Sequence, residues 1–478
     1  MGAPTSLHRT LDLCLRVGEM LLSSGAGAAD VAATMRAVSR ALGVTNAQID
    51  VTFTSLTMGA QLSADDAPVV QIRQVNLREI DYEDLTRTDH LVRDIVVGRV
   101  DLAQARTELA RIVSSGHSRP RWAATLGGGL MAAGVALQLG GDVIVVLVAL
   151  VAAVCIDRAQ LLMIRRRLPF FYQQVAGGVI ATVLAAVCTR LAEPWVHLNT
   201  SLVVTANIVM LLAGIGFMGA IQDALSGFYV TGSARILEAM LATAGIIAGV
   251  SGGLSVAARI GMEIPHLRLP NFDLVGVASA AVGGGVAAAA FAFACYAPWR
   301  VLPPIGLLAG SAVVATVLIE QGGLGRTWAV GVAAFVIGLF GYTVGRRFRV
   351  PPLVVVVSSV VPLLPGLSIY RGLFLLGEEG GQRVAQGLLA MVTAGSVAVA
   401  VAAGVILGEY IAQPVMREAR KVEARLAGPR LVGVTRVAVR RRHRPQLAEA
   451  ESADPPRRPR RPRRLRRIRV HPRQNRQS

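Results

Sequence analysis

The chain has 478 residues, of which 53 % are hydrophobic and 17 % charged, and a mean hydropathy of +0.52. Soluble domains carry about 25 % charged residues, so a wholly soluble protein is excluded and a membrane protein with soluble appendages is expected. The net charge of +19 is concentrated at one end, because residues 430–478 hold seventeen arginines against Glu449, Glu451 and Asp454.

In chain order, residues 1–118 read as a small soluble α/β domain. Ser6–Ser24 predicts a helix with Leu7, Leu11, Cys14, Leu15, Gly18 and Leu22 on one face, broken by Gly25-Ala26-Gly27. Asp30 opens a second helix, whose Val31, Met35, Val38 and Leu42 recur at helical spacing before Gly43. Ile49–Leu56 alternates as one strand, and Val69–Val75 reads as its partner. Asp84–Val113 predicts charged helix interrupted at Gly98. No signal-peptide core precedes Gly25, so this domain is expected on the cytoplasmic side.

From Trp122 onward ten apolar segments approach the roughly twenty residues that a bilayer of about 30 Å requires. They lie near 122–139, 143–160, 173–191, 201–220, 236–257, 274–295, 302–319, 327–345, 351–376 and 384–411. With both termini in the cytoplasm, Arg119 and Arg121, Arg165–Arg167, Arg346–Arg349, and Arg417, Arg420 and Lys421 all fall inside, as the positive-inside rule asks. The loop with Arg259 and Arg268 falls outside, against that rule.

An internal period accompanies the spans. Residues 202–214 overlie residues 354–366 at an offset of 152, with six of thirteen positions identical, and the same offset carries Trp122 onto Leu274. Two halves of five spans, an odd number, enter the bilayer in opposite senses, which is the inverted-repeat plan of many secondary transporters. The domains then read as 1–118, 119–260 and 261–414, with 415–478 a basic, disordered cytoplasmic tail. In the second half Pro362 and Pro365 predict a broken helix ending in Gly366, close to Tyr370 and Arg371. In the first half the apolar run ends in glycines near Gly214, and Asp223, Arg235 and Glu238 follow before the chain turns apolar again. Charged groups at membrane depth need a partner or water, so these three are candidates for solute binding or proton relay. Arg235 and Glu238, three apart, could also simply pair with each other.

These residues resemble the bacterial threonine/serine exporters. The resemblance rests on Gly18-Glu-Met-Leu-Leu-Ser-Ser-Gly25-Ala26, Asp30-Val31 and Val51-Thr-Phe-Thr-Ser55. In the membrane halves it rests on Gly214, Asp223, Gly227, Gly232, Arg235 and Glu238, and on Val361-Pro362-Leu-Leu-Pro365-Gly366. It covers nearly everything before the tail. It implies a cytoplasmic domain followed by two membrane modules, and export of threonine and serine across the plasma membrane driven by the proton motive force. Where the family has Pro-Gly in the first half this chain has Ala213-Gly214, which implies a softer first break. Two-chain relatives are linked to dicarboxylate export, so succinate-like solutes are an alternative.

Other classes find little support. The single lysine, Lys421, follows Arg-Glu-Ala-Arg420 rather than a phosphate-binding loop, which argues against an ATP-driven pump. Gly25-Ala-Gly27 follows a helix and lacks the third glycine of a dinucleotide fingerprint. No HExxH motif appears, and Gly249-Val-Ser251-Gly-Gly253 reads as a small-residue packing ridge within an apolar span, so no catalytic residue is assigned and no enzyme is expected. The cysteines (Cys14, Cys155, Cys188 and Cys295) are scattered, and neither a metal site nor a cofactor is expected. Expected partners are a small polar amino acid, protons, and anionic lipids for the arginine-rich tail, with specific nucleic-acid binding disfavoured and a homo-oligomer left open. A membrane-anchored scaffold or sensor is the rival from another class. The reading is a polytopic α-helical membrane protein with a soluble α/β domain in front. Its substrate and coupling residues are Asp223, Arg235, Glu238, Gly214, Pro362, Pro365, Gly366 and Arg371.

Overall fold

The computed structural model describes residues 3–61, 66–75, 80–192, 199–211, 213–259, 273–366, 368–369, 372, 375 and 381–426. Residues 1–416 form one compact unit and residues 417–478 a second, of which only the last turns of a helix are described. The expected tail beyond residue 430, Tyr370, Arg371 and the arginine-bearing loop after Arg259 lie outside the described residues.

The N-terminal part holds α1 (Ala3–Ser23), α2 (Ala28–Ala41), strands β1 (Gln48–Val51), β2 (Ser55–Ala60) and β3 (Val69–Gln74), then α3 (Tyr82–Val97) and α4 (Leu102–Ser115). The sheet is antiparallel in the order β1-β2-β3, with Val51 opposite Leu56 and Ala60 opposite Val69. The expected strand Ile49–Leu56 is therefore two strands. A tight turn folds it at Thr52, whose N–H and hydroxyl both donate to the carbonyl of Ser55. Alternation of period two persists through such a turn, so the pattern alone hides it. The interruption at Gly98 is real: its left-handed backbone (φ 76°) ends α3, and Asp101 opens α4 with a reciprocal capping box to Gln104.

The membrane part begins with α5 (Arg121–Gln138), α6 (Val143–Arg165), α7 (Phe170–Ala192), α8 (Thr200–Leu211), α9 (Ala213–Leu225), α10 (Tyr229–Arg259) and α11 (Leu274–Ala294). It continues through α12 (Leu302–Gln321), α13 (Arg326–Phe348), α14 (Pro352–Val360) and α15 (Gly381–Leu426). Among the described residues seven helices are long and apolar enough to cross a membrane: α6, α7, α10, α11, α12, α13 and the Gln382–Ala412 part of α15. The chain is thus a multi-pass, mostly helical membrane protein. The remaining expected spans differ in kind. The first, α5, carries Arg121 and Gln138 at its ends and is less apolar, that at 351–376 is broken after α14, and that at 201–220 is helical on either side of Leu212, which lies outside the described residues.

Small residues let the helices approach closely. A Cβ on Gly249 of α10 would stand 2.2 Å from the carbonyl oxygen of Val175 on α7, which is the packing expected where lipid supplies no hydrophobic drive between helices. The N-terminal part shares a core with this bundle. Tyr82 meets Phe291 of α11 edge-on, with ring centroids 6.3 Å apart, and its N–H donates to the carbonyl of Cys295. Nearby, the Arg119 guanidinium lies over Phe293 and Trp299, at 4.6 and 5.3 Å from the ring centroids. Farther along, the ring of His90 on α3 bonds the carbonyl of Arg349, after α13. One end of the bundle therefore carries the N-terminal helices, and the other carries the α5–α6 and α12–α13 turns.

Candidate functional site

The site grows from an exposed helix end. α2 begins at Ala28 with Gly27 as its N-cap, and glycine has no side chain with which to cap the first amides. The cap arrives from the membrane part. Oδ1 of Asp223 on α9 accepts the N–H of Ala28 at 2.8 Å. A carboxylate at a helix N-terminus is favoured both by the bond and by the helix dipole. Asp223 has 1 % of its side chain exposed, and its other oxygen accepts Arg235 Nη1 from α10 at 2.5 Å. Arg235 is itself 12 % exposed. So the ion pair within the predicted triplet joins Arg235 to Asp223, twelve residues back, and not to Glu238.

Local geometry places this pair. Gly227 turns α9 into α10 with φ 90°, and the N–H of Phe228 returns to the carbonyl of Asp223. The Arg235 guanidinium rests on Gly219, where a Cβ would lie 3.4 Å from Nη1. Thr231, also on α10, donates its hydroxyl to the carbonyl of Val51 at the end of β1. The same hairpin thus grips the N-terminal part twice. Asp30 in the first turn of α2 adds a further acid. Its carboxyl is raised above the ordinary range, first by desolvation and then by the negative charge of Asp223, although the residue keeps an exposed edge.

Beside the pair opens a cavity of about 630 Å³ between the N-terminal part and the bundle. Arg235 and Glu238 line it together with Gln222, Gly219, Gly27 and Ser24, and Phe53, Tyr82, Phe170 and Phe291 supply apolar wall. Glu238 is exposed. A cationic and an anionic side chain facing one chamber, with backbone bared at glycines, suits a small zwitterion or anion.

Helix is described up to Leu211 and again from Ala213, with Gly214 helical, and Leu212 between them lies outside the described residues, as does any break there. In the second half the helix is broken: α14 passes into a 3-10 turn, Val361–Leu363, Leu364 is extended, and helix resumes at Gly366. Pro362 and Pro365 thus stand where continuous helix is lost. This break touches α8, since a Cβ on Gly366 would stand 2.4 Å from Cγ2 of Val209. Arg235 and Glu238 line the cavity, with Asp223 bonded to Arg235 beside it, while Pro362, Pro365 and Gly366 lie outside its lining. Sequence reasoning missed Ala28, which contributes only its main-chain N–H. Gly27 was the available signal, because an uncapped helix start needs a partner from elsewhere.

The family pattern described as "Putative threonine/serine exporter" matches residues 12–257, and a second, "Threonine/Serine exporter, ThrE", matches residues 280–411. A protein of Mycobacterium tuberculosis (strain ATCC 25618 / H37Rv) named "Probable threonine/serine exporter" is 34 % identical over 444 residues, covering 90 % of this chain and 82 % of its own. The "Threonine/serine exporter" of Corynebacterium glutamicum is 34 % identical over 421 residues, covering 86 % and 84 %. No solved structure matches the chain. The multi-pass helical fold and these matches over both membrane stretches place the chain in the threonine/serine exporter family, a family of membrane transporters and not of enzymes.

Proposed function

We propose that the protein exports threonine and serine across the bacterial plasma membrane, driven by the proton motive force, with both termini in the cytoplasm. The observation that carries the reading is Asp223, buried at the cavity and shared between Arg235 and the N-terminus of α2. A proton on this carboxyl competes with Arg235 for it, so protonation, the ion pair and closure of the N-terminal helices are linked in one group. Residues 1–118 act as the cytoplasmic gate. Residues 119–260 and 261–414 act as inverted halves that meet where Gly366 of the second-half break packs on Val209 of α8, the point at which access alternates. The solute comes from the names of the relatives, and the paired charges of Arg235 and Glu238 suit its zwitterion. The arginine-rich tail holds to anionic lipid.

The test is flux of radiolabelled threonine and serine, against succinate, in proteoliposomes under an imposed pH gradient. Gradient-driven threonine movement that Asp223→Asn abolishes supports the reading. Succinate movement alone changes the solute. No flux from folded, inserted protein overturns transport in favour of a scaffold.

A further inference from the structure

A second cavity, of about 90 Å³, lies at the end of the bundle away from the N-terminal helices. Its position follows from its walls. Gln138 and Leu139 close α5 there, and Glu320 and Arg326 flank the α12–α13 turn. It reaches inward to Val361–Leu364 of the second break and to Val209. Leu211, two residues beyond Val209, lines the larger cavity instead, as do Leu353 and Val357 of α14. The Val209–Gly366 contact therefore separates two chambers, and the smaller one is the next space a solute meets after crossing it.

The polar groups of this chamber come from four separate places and converge on an otherwise apolar wall. Gln138 Nε2 donates to the carbonyl of Pro362 at 2.9 Å and so ties the end of α5 to the break. Thr316, 7 % exposed, donates its hydroxyl to Ala312 and keeps its lone pairs to accept another donor. Glu320 and Arg326 pair loosely, at 3.5 Å, with side chains 26 % and 41 % exposed. So open a pair contributes about 0–1 kcal/mol, and a ligand that meets both charges replaces it at little cost. An α-amino acid brings an ammonium and a carboxylate joined by one carbon, the complement of that pair.

We infer that this chamber is an exit site for a zwitterionic hydroxy-amino acid, with its carboxylate on Arg326, its ammonium on Glu320 and its side-chain hydroxyl donating to Thr316. The inference rests on the exporter reading and gives it a second, sided station. It assigns Glu320 and Arg326 a role in solute release, where they would otherwise be an ordinary pair at a helix turn.

The test is serine exchange in right-side-out and inside-out membrane vesicles carrying the full chain, with the apparent KM measured at each face. Arg326→Gln and Glu320→Gln are expected to raise KM about tenfold, equivalent to ~1.4 kcal/mol, at the face opposite the N-terminal helices only. Thr316→Val should do the same, and Thr316→Ser should restore the wild-type value. Equal shifts at both faces, no shift at either, or a Thr316→Ser variant as impaired as Thr316→Val overturns the exit site while leaving transport standing. Absence of serine exchange in the wild type overturns the exporter reading, and the exit site with it.

Discussion

Asp223 caps a helix that begins 195 residues before it, accepting the N–H of Ala28 on one carboxylate oxygen while Arg235 holds the other. The two contacts differ in what can break them. One needs only a main-chain amide, and the other needs a cation at a fixed place.

Removing the cation leaves a buried charge without its partner. Loss of one member of a buried pair costs about 3–5 kcal/mol, so Arg235→Gln is expected to lower the melting temperature of detergent-purified protein sharply. Asp223→Asn in the same chain should recover part of the loss, because it removes the stranded charge. A double-mutant cycle in chemical denaturation reads the coupling, and strictly additive effects would show that the pair is not an energetic unit.

Ala28→Pro tests the amide alone. Position 28 is the first residue of α2, where proline is tolerated, and Gly27 already has the extended backbone (ψ 150°) that a following proline requires. The variant should keep α2 yet release Asp223. Hydrogen exchange is expected to rise over residues 218–224 and the start of α2, with α4 as protected as before. Unchanged exchange at 218–224 would mean that the cap does not hold the N-terminal helices in place.

The contact between Gly366 and Val209 predicts a size limit. A methyl on Gly366 meets the stiff side chain of Val209 at 2.4 Å. Gly366→Ala should cut solute flux about tenfold, ~1.4 kcal/mol on the rate. Adding Val209→Ala should return most of it by opening the space. Failure of the second substitution to rescue would place the constraint elsewhere.

Asp84 gives a pH signature in the N-terminal part. Its carboxyl is raised to about 6, chiefly by desolvation and then by the neighbouring Asp81 charge, and its Oδ1 is buried without a hydrogen-bond partner. For an acid whose folded value lies above its unfolded one, stability is fully present below about pH 4. It is lost as pH rises through about 6. Replacing Asp84 by Asn should therefore stabilise the protein by about 1–2 kcal/mol at pH 7.5, allowing for partial solvent screening. No gain should appear at pH 4. Melting curves across that range check both ends, and an equal gain at pH 4 would assign the effect to something other than ionisation.

Much of this was legible in the sequence for physical reasons. Apolar length marked the helices from α6 onward, and Pro362 and Pro365 marked the second-half break because proline cannot continue a helix. Other features were hidden. The turn at Thr52–Ser55 keeps the alternation of its strands, so one strand was expected in place of two. Arg235 has a nearer acid in sequence, Glu238, and only the fold of α9 on α10 brings Asp223 closer. The polar groups of the small chamber come from α5, α12, α13 and the second break, so no spacing rule joins Gln138 to Glu320 and Arg326.

The amide cap on Asp223 also decides where selection can leave a mark. Every residue type except proline offers the same N–H at position 28, so sequence drift there is silent to this contact. The constraint falls instead on Asp223 and on Gly27, where a Cβ would stand 3.3 Å from the carboxylate oxygen. Alignments that rank positions by side-chain identity would pass over half of the joint and credit it all to the aspartate.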